Sequence, residues 1–177
     1  MYITFTRSYS DGVAHVNLNS IDELDLRDCD IRSVHLEPEM LTNLTSLNMM
    51  GNLLSNFSGL IYLKEMKTLC LSNNNIESVF PLTKHQRAQM NRSQYSQYQK
   101  REVCEKRLTV KASEDSELLP KLEVLHLGSN KIKDMSLLQL RRFPALKSLF
   151  LEANDITKID GLEGCSNIRH LVLDRLL

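Results

Sequence analysis

Apolar and polar residues recur in the same order in five segments of the chain, each eleven residues long. In every segment apolar residues occupy the first, fourth, sixth and last places, and the ninth place holds Asn or Cys. A pattern repeated in this way predicts an array of similar structural units. The segments are IDELDLRDCDI (21–31), LTSLNMMGNLL (44–54), MKTLCLSNNNI (66–76), LEVLHLGSNKI (122–132) and LKSLFLEANDI (146–156). The ninth place, called the ladder position, is occupied by Cys29, Asn52, Asn74, Asn130 and Asn154.

The alternation inside each segment predicts a short strand, because alternate leucines face one side of a strand and the residue between them faces the other. Repetition of such units predicts a leucine-rich repeat solenoid, an α/β repeat fold. Its concave face is a parallel β-ribbon, and its convex face consists of turns, 3-10 segments and short helices. We expect the ladder side chains to satisfy backbone groups where the chain leaves each strand, with Cys29 offering only a weak S–H donor.

The spacing of the ladder positions predicts how the chain is divided. The successive steps are 23, 22, 56 and 24 residues, and the step of 56 equals one 22-residue repeat plus a 34-residue insertion. The sixth repeat reaches Leu176 at its ladder position just before the chain ends, so we expect a fragment or splice form of a longer protein. The predicted units are a cap or hairpin over 1–20, repeats one to three over 21–82, the insertion over 83–117, and repeats four to six over 118–177.

The N-terminal prediction has its own basis. Apolar and polar residues alternate in ITFTR and again in HVNL, on either side of the turn-prone SYSDG. Two alternating stretches around such a turn predict a β-hairpin. We expect this hairpin to cap the ribbon beside the first repeat.

Residues that alternate with the strand leucines are predicted to face the concave side. An aromatic residue at such a place has no role in a core, so Phe150 is the first candidate for a contact residue. The alternative is that exposed apolar residues there only favour strand formation. One row comprises Asp25, Asn48, Cys70, His126, Phe150 and Val172. The flanking rows comprise Glu23, Ser46, Thr68, Val124, Ser148 and His170, and Arg27, Met50, Ser72, Gly128, Glu152 and Asp174. We expect a partner to contact Phe150, His126, Val124, Met50, Val172 and Cys70.

Cys70 and His126 raise the question of catalysis, because they occupy equivalent places on adjacent predicted strands, about 4.8 Å apart. A catalytic Cys–His pair would also need an orienting third group and an oxyanion site, which the neighbouring residues do not supply. A zinc site would want four ligands, and His170 lies two repeats from His126. We therefore expect no enzyme, no catalytic residue, no metal site and no cofactor.

Composition and charge indicate the cellular compartment and the classes of partner. The chain has 22 basic and 22 acidic residues, so its overall charge favours neither nucleic acid nor an anionic membrane. Its four cysteines form no CxxC pair or disulfide framework, and the start MYITFTRSYSDG has no secretion signal. No apolar run is long enough to cross a membrane. We expect a cytoplasmic protein without membrane insertion.

The insertion differs from the repeats in composition. Between 84 and 111 it has eight Lys and Arg against two Glu, a net charge of plus six. It contains no Gly or Pro, which favours helix, but it keeps no apolar stripe. One interpretation is a solvated loop that is partly disordered. The other is a basic arm whose Tyr95 and Tyr98 contact an acidic partner or RNA, with a steep salt dependence.

The 22-residue spacing and the phrases LEVLHLGSNKIKDM and LKSLFLEANDITKIDGLEGCSNIRHLVLD resemble a class of intracellular leucine-rich repeats. That class is typified by the regulatory leucine-rich subunit of protein phosphatase 1, and similar repeats occur in axonemal dynein light chain 1 and ciliary assembly proteins. The resemblance covers 21–173 apart from the insertion. It implies a curved interaction platform without catalysis, in a ciliary, axonemal or phosphatase-regulatory assembly. Phosphatase binding itself is not carried over, because the chain has no Trp and no basic-Val-x-Phe docking motif.

These observations lead to one main functional expectation and two alternatives. The main expectation is a scaffold that binds one or more protein partners on the concave face. The first alternative is binding of nucleic acid or an anionic surface through the insertion, which we favour less because the chain as a whole is neutral. The second is a truncated isoform without independent function.

Overall fold

A parallel β-ribbon runs through the part of the chain that the computed structural model describes, which is residues 2–5, 18–36, 39–83 and 116–174. Each repeat contributes one strand of three residues to this ribbon, and repeats that follow each other in the sequence are neighbours in the sheet. The predicted repeat solenoid with a parallel ribbon is therefore confirmed. The ribbon strands are β2 (Glu23–Asp25), β4 (Ser46–Asn48), β5 (Thr68–Cys70), β6 (Val124–His126), β7 (Ser148–Phe150) and β8 (His170–Val172).

The convex side consists of turns and short 3-10 segments, and no α-helix occurs within the described ranges. Two of these segments follow each other in the fourth repeat, where Gln139 separates them with a left-handed φ of 49°. Asp134 caps the first of the two, because its Oδ1 accepts a hydrogen bond from the Ser136 N–H at 2.9 Å. The 3-10 segments are η1 (Leu18–Ser20), η2 (Ser58–Leu60), η3 (Met135–Leu138) and η4 (Leu140–Arg142).

The N-terminal strand differs from the prediction of a hairpin. β1 (Tyr2–Phe5) pairs in parallel with β3 (Ser33–Leu36), which belongs to the convex segment of the first repeat. The end of the expected second hairpin strand, Leu18, begins η1 instead, and residues 6–17 lie outside the described residues. Local alternation identified β1 as a strand, but it could not identify a partner that lies far away along the chain.

The core is a column of leucines that the strands contribute one by one. The central residues of β4, β5, β6 and β7 are almost fully buried, and the residues on either side of each are half-buried. β2 and β8 have a described neighbour on one side only, and their central residues Leu24 and Leu171 are half-buried. Burial of each leucine thus depends on the repeats beside it rather than on its own unit.

The ladder asparagines connect each repeat to the one before it. Asn130 Nδ2 donates to its own Leu127 carbonyl at 2.9 Å and to the Leu71 carbonyl of the preceding repeat at 3.0 Å. Its Oδ1 accepts from the Ile76 N–H, also in the preceding repeat, at 2.9 Å. The Asn130 amide thus satisfies backbone groups of two repeats. The same three contacts recur at Asn52, Asn74 and Asn154.

Cys29 occupies the one ladder position that has no described repeat before it. Its Sγ donates to the Arg27 carbonyl at 3.1 Å, a contact within its own repeat. The Cys29 N–H in turn donates a hydrogen bond to Asn52 Oδ1, in the following repeat, at 3.2 Å. The described contact of this thiol therefore lies within its own repeat, unlike the amides of the ladder asparagines.

The insertion leaves the stack of repeats unbroken. β5 pairs directly with β6, so that Cys70 lies beside His126 although the insertion separates them in sequence. Arg142 holds both flanks of the insertion: its guanidinium lies 5.6 Å from the Phe80 ring centroid, and its Nε donates to the Ser116 carbonyl at 2.7 Å. The segment between them, including Tyr95 and Tyr98 and the predicted helix or disordered loop, lies mostly outside the described residues.

We expect Asn130→Ala to lower the free energy of unfolding by about 3 kcal/mol or more, because it removes the partners of three buried backbone groups. Cys29→Ala is the matched control and should cost less than about 1 kcal/mol, since its thiol makes one weak contact within its own repeat. Urea unfolding followed by circular dichroism measures both values. Equal losses in the two variants would contradict the bridging role of the ladder.

Candidate functional site

The register of the ribbon aligns the residues between the strand leucines in one row on the concave face. Parallel pairing sets His126 between Cys70 and Phe150, and Phe150 between His126 and Val172. The second row is aligned in the same way, with Val124 between Thr68 and Ser148. Four of the six predicted contact residues thus follow one another across β5 to β8.

His126 and Phe150 form a stacked aromatic pair on the fourth and fifth strands of the ribbon. Their ring centroids are 4.3 Å apart and their planes differ by 11°. Adjacent strands are about 4.8 Å apart, so rings on paired positions stack when both side chains take the same rotamer. Both residues are half-buried. Stacking covers one face of each ring, so the pair presents its ring edges and outer faces on the concave side rather than filling a core.

Two valines extend this aromatic surface. Val172, 40% exposed, is one of two large apolar side chains that are exposed among the described residues. Val124 is half-buried and lies two residues before His126 on β6. Met50 is half-buried and follows β4, two strands away from His126, so the structure does not bring this predicted contact residue into the same patch. We call His126, Phe150, Val124 and Val172 the aromatic patch.

A carboxylate lies beside the aromatic patch and over a glycine. A Cβ placed on Gly128 would collide with Glu152 Oε1, so the carboxylate occupies the space that a side chain there would take. Glu152 Oε2 is buried and has no hydrogen-bond partner among the described residues. The sequence placed Glu152 on the concave face but provided no reason to single it out. The one signal was a glycine at a ribbon position where every other repeat has a side chain.

The concave rows are acidic although the whole chain is neutral. Their charged side chains are Glu23, Asp25, Glu152 and Asp174 against Arg27, a net charge of minus three with His neutral. Arg27 is already bound, since its Nη2 lies 2.8 Å from Asp25 Oδ2. The hydrogen bond from Arg27 lowers the pKa of Asp25. A positively charged partner would therefore be attracted electrostatically to this face.

Cys70 and His126 are neighbours in the register, as predicted. The ring contact of His126 is with Phe150, on the side away from Cys70. In the described ranges, His, Cys, Asp and Glu nowhere gather in groups of three or more that could hold a metal ion. Elsewhere, burial raises the pKa of the Cys165 thiol, which makes it a poorer nucleophile at neutral pH.

The comparison with known proteins agrees with the geometry of the repeats. A family model described as leucine-rich repeats in two copies matches residues 120–163. The fold is a leucine-rich repeat solenoid. In the described part of this leucine-rich repeat chain, no helix has both the length and the apolar character needed to cross a membrane.

Two solved internalin structures from Listeria monocytogenes are similar to this chain. Internalin C2 shares 26% sequence identity at a TM-score of 0.58, covering 89% of this chain and 53% of the internalin. Internalin InlF shares 22% identity at a TM-score of 0.59, covering 88% of this chain and 35% of the internalin. The chain thus spans roughly a third to a half of the length of these structures, and the likeness shows the solenoid fold.

We expect Phe150→Ala to lower the free energy of unfolding by about 1 to 2 kcal/mol, the scale of one stacking contact and partial burial. Leu149→Ala, one residue away, should cost about 2 to 5 kcal/mol because it opens a cavity in the leucine column. Urea unfolding of the two variants gives both values. If Phe150→Ala were as costly as Leu149→Ala, Phe150 would be a core residue and not part of a binding surface.

Proposed function

We propose that this chain is a non-catalytic protein-binding module that receives its partner on the concave ribbon. The observation that carries the proposal is the half-buried stack of His126 on Phe150, on the concave side of the fourth and fifth strands of the ribbon. Exposed aromatic residues that have no role in the core are typical of binding surfaces. Solenoids of this kind use their extended concave surface for binding.

Rigidity of the ribbon supports the same proposal. The two rings are carried by strands that pair with each other and are tied by the Asn130 and Asn154 amides to the repeats before them. A partner that binds such a surface loses little free energy to ordering of the protein. Binding energy can then come from a few well-placed contacts at the aromatic patch.

The proposed setting is narrower than the fold and rests on the resemblance of the repeats alone. It is a cytoplasmic protein in a ciliary, axonemal or phosphatase-regulatory assembly. Direct binding of the phosphatase is not part of the proposal, because the chain has no Trp and no basic-Val-x-Phe motif. The expected partner is a protein of such an assembly.

The insertion supplies the second candidate function. Its net charge of plus six between 84 and 111 contrasts with a neutral chain, and basic segments bind RNA or anionic surfaces. Both of its flanks are held at Arg142, and the flanking strands pair with each other directly. The insertion can therefore be removed without interrupting the ribbon, which makes the two candidates separable.

We expect replacement of both His126 and Phe150 by Ala to reduce partner capture by about tenfold or more, because hot-spot aromatics contribute about 2 kcal/mol or more each. Capture is measured by pull-down from cell extract with quantitative mass spectrometry. Ile159→Ala is the control, since Ile159 is a large exposed apolar residue (51%) outside the ribbon strands. Proteins captured equally by all three chains would contradict the concave site.

Deletion of 84–115, with a short Gly-Ser linker in its place, should preserve both the thermal unfolding transition and capture by the ribbon. Binding to single-stranded RNA or heparin is measured on the same protein at low and high salt. The insertion would be the binding site if its deletion abolished capture while the double variant of His126 and Phe150 still captured the partner. A salt-dependent affinity that disappears with the insertion would establish the second candidate.

A further inference from the structure

Glu152 is the most unusual polar group on the concave face. A buried carboxylate oxygen normally has a hydrogen-bond donor, because desolvation without one is costly. Glu152 Oε2 has none among the described residues. The chain gives this carboxylate room by having Gly128 beneath it, where even a methyl group would collide with Oε1. The Glu152 side chain as a whole is half-buried, so a donor on a partner can reach the carboxylate when the side chain turns toward solvent.

The surroundings of Glu152 indicate what kind of donor fits. His126 and Gly128 belong to the fourth repeat, and Phe150 and Glu152 occupy the equivalent places in the fifth. The two repeats remain paired beyond the strands, because the Ser129 N–H donates a hydrogen bond to the Glu152 carbonyl at 2.8 Å. Residues two apart on a strand are about 7 Å apart. The carboxylate and the stacked rings are therefore close enough for one long side chain to contact both.

A guanidinium matches both contacts. It is planar, it stacks on aromatic rings, and its N–H groups pair with a carboxylate in fixed geometry. A lysine ammonium pairs with a carboxylate as a point charge but has no planar face to stack. A neutral donor would satisfy Glu152 but would gain nothing from the ring faces.

The charge of the whole face agrees with a cationic partner. The concave rows have a net charge of minus three, and their one guanidinium, Arg27, is bound to Asp25 at the opposite end of the ribbon. Asp174, on the repeat after Glu152, accepts a hydrogen bond from the Ala153 N–H. Glu152 is thus the carboxylate beside the aromatic patch that has an oxygen without a partner among the described residues.

We propose that the partner is an arginine-containing peptide segment, and that its guanidinium stacks on the aromatic patch and pairs with Glu152. The inference rests on the proposed function, because it uses the same concave surface. It goes further by naming the chemistry of the partner and by assigning to Glu152 the role of selecting arginine.

The test begins with a displayed library of random 12-residue peptides. Peptides that bind are selected separately on the full wild-type chain and on the Glu152→Gln variant. Peptides enriched on the wild-type chain should contain arginine far more often than those enriched on the variant. The most enriched peptide is then synthesised with arginine, lysine or citrulline at the selected position. Dissociation constants are measured by fluorescence anisotropy for the wild-type chain, Glu152→Gln, Phe150→Ala and the exposed control Glu163→Gln.

We expect Glu152→Gln to weaken binding of the arginine peptide at least tenfold and Glu163→Gln to leave it unchanged. The citrulline peptide should bind the wild-type chain and Glu152→Gln with equal affinity, because it has no charge for Glu152 to pair with. The affinity of the lysine peptide should lie between the two. Glu152→Gln should leave the melting temperature unchanged or raise it, since it removes a carboxylate whose buried oxygen has no hydrogen-bond partner among the described residues.

Two results would overturn the inference, and they differ in what they leave standing. Peptides that lose binding with Phe150→Ala but show no arginine preference, or no sensitivity to Glu152→Gln, would refute the arginine site and retain the concave function. Peptides that bind Phe150→Ala as well as the wild-type chain, or no enriched peptides at all, would refute both. A large drop in melting temperature for Glu152→Gln would show an internal partner and would also refute the arginine site.

Discussion

The hydrogen bonds of the ladder asparagines between repeats are the contacts on which the rest of this structure depends. A strand of three residues cannot form a sheet or bury a leucine alone, so each unit is stable only beside its neighbours. The residue before each ladder position also takes a left-handed φ, between 53° and 72°, and only one of the five is glycine. The asparagine amide satisfies the carbonyls at this turn and the N–H of the repeat before it, which holds a backbone that would otherwise be strained.

Because stability comes from contacts between neighbouring repeats, the chain tolerates large changes that leave those contacts intact. The insertion is the clearest case, since the strands on either side of it pair as directly as consecutive repeats do. Arg142 supports this arrangement by contacting Phe80, just before the insertion, and Ser116, near its end. The same independence applies to the concave side chains, which can vary without disturbing the leucine column or the ladder.

The sequence predicted the features that depend on strict periodicity, and it failed where contacts are not periodic. The ribbon, its register and the ladder result from alternation inside a regularly repeated unit, and the structure agrees. The pairing of β1 with β3 could not be predicted, because nothing local marks which extended segment a strand will join. The stack of His126 on Phe150 required rotamers, and the position of Glu152 over Gly128 required knowledge of how a side chain on one repeat lies across the next.

The three contacts that the sequence did not predict share a physical property, since each joins side chains or strands from different units of the chain. The two aromatic rings, the glycine and the carboxylate come from repeats four and five, so neither repeat forms the surface alone. The ladder contact between Asn154 and the fourth repeat therefore sets the geometry of the proposed binding surface as well as the stability of the fold. Repeats held together in this way can keep one buried carboxylate oxygen without a hydrogen-bond partner. The leucine column and the ladder stabilise the fold enough to offset the free energy that this oxygen costs. Partial exposure of an aromatic pair and a buried oxygen without a described donor are both unfavourable in the free protein, and the proposed guanidinium would relieve both.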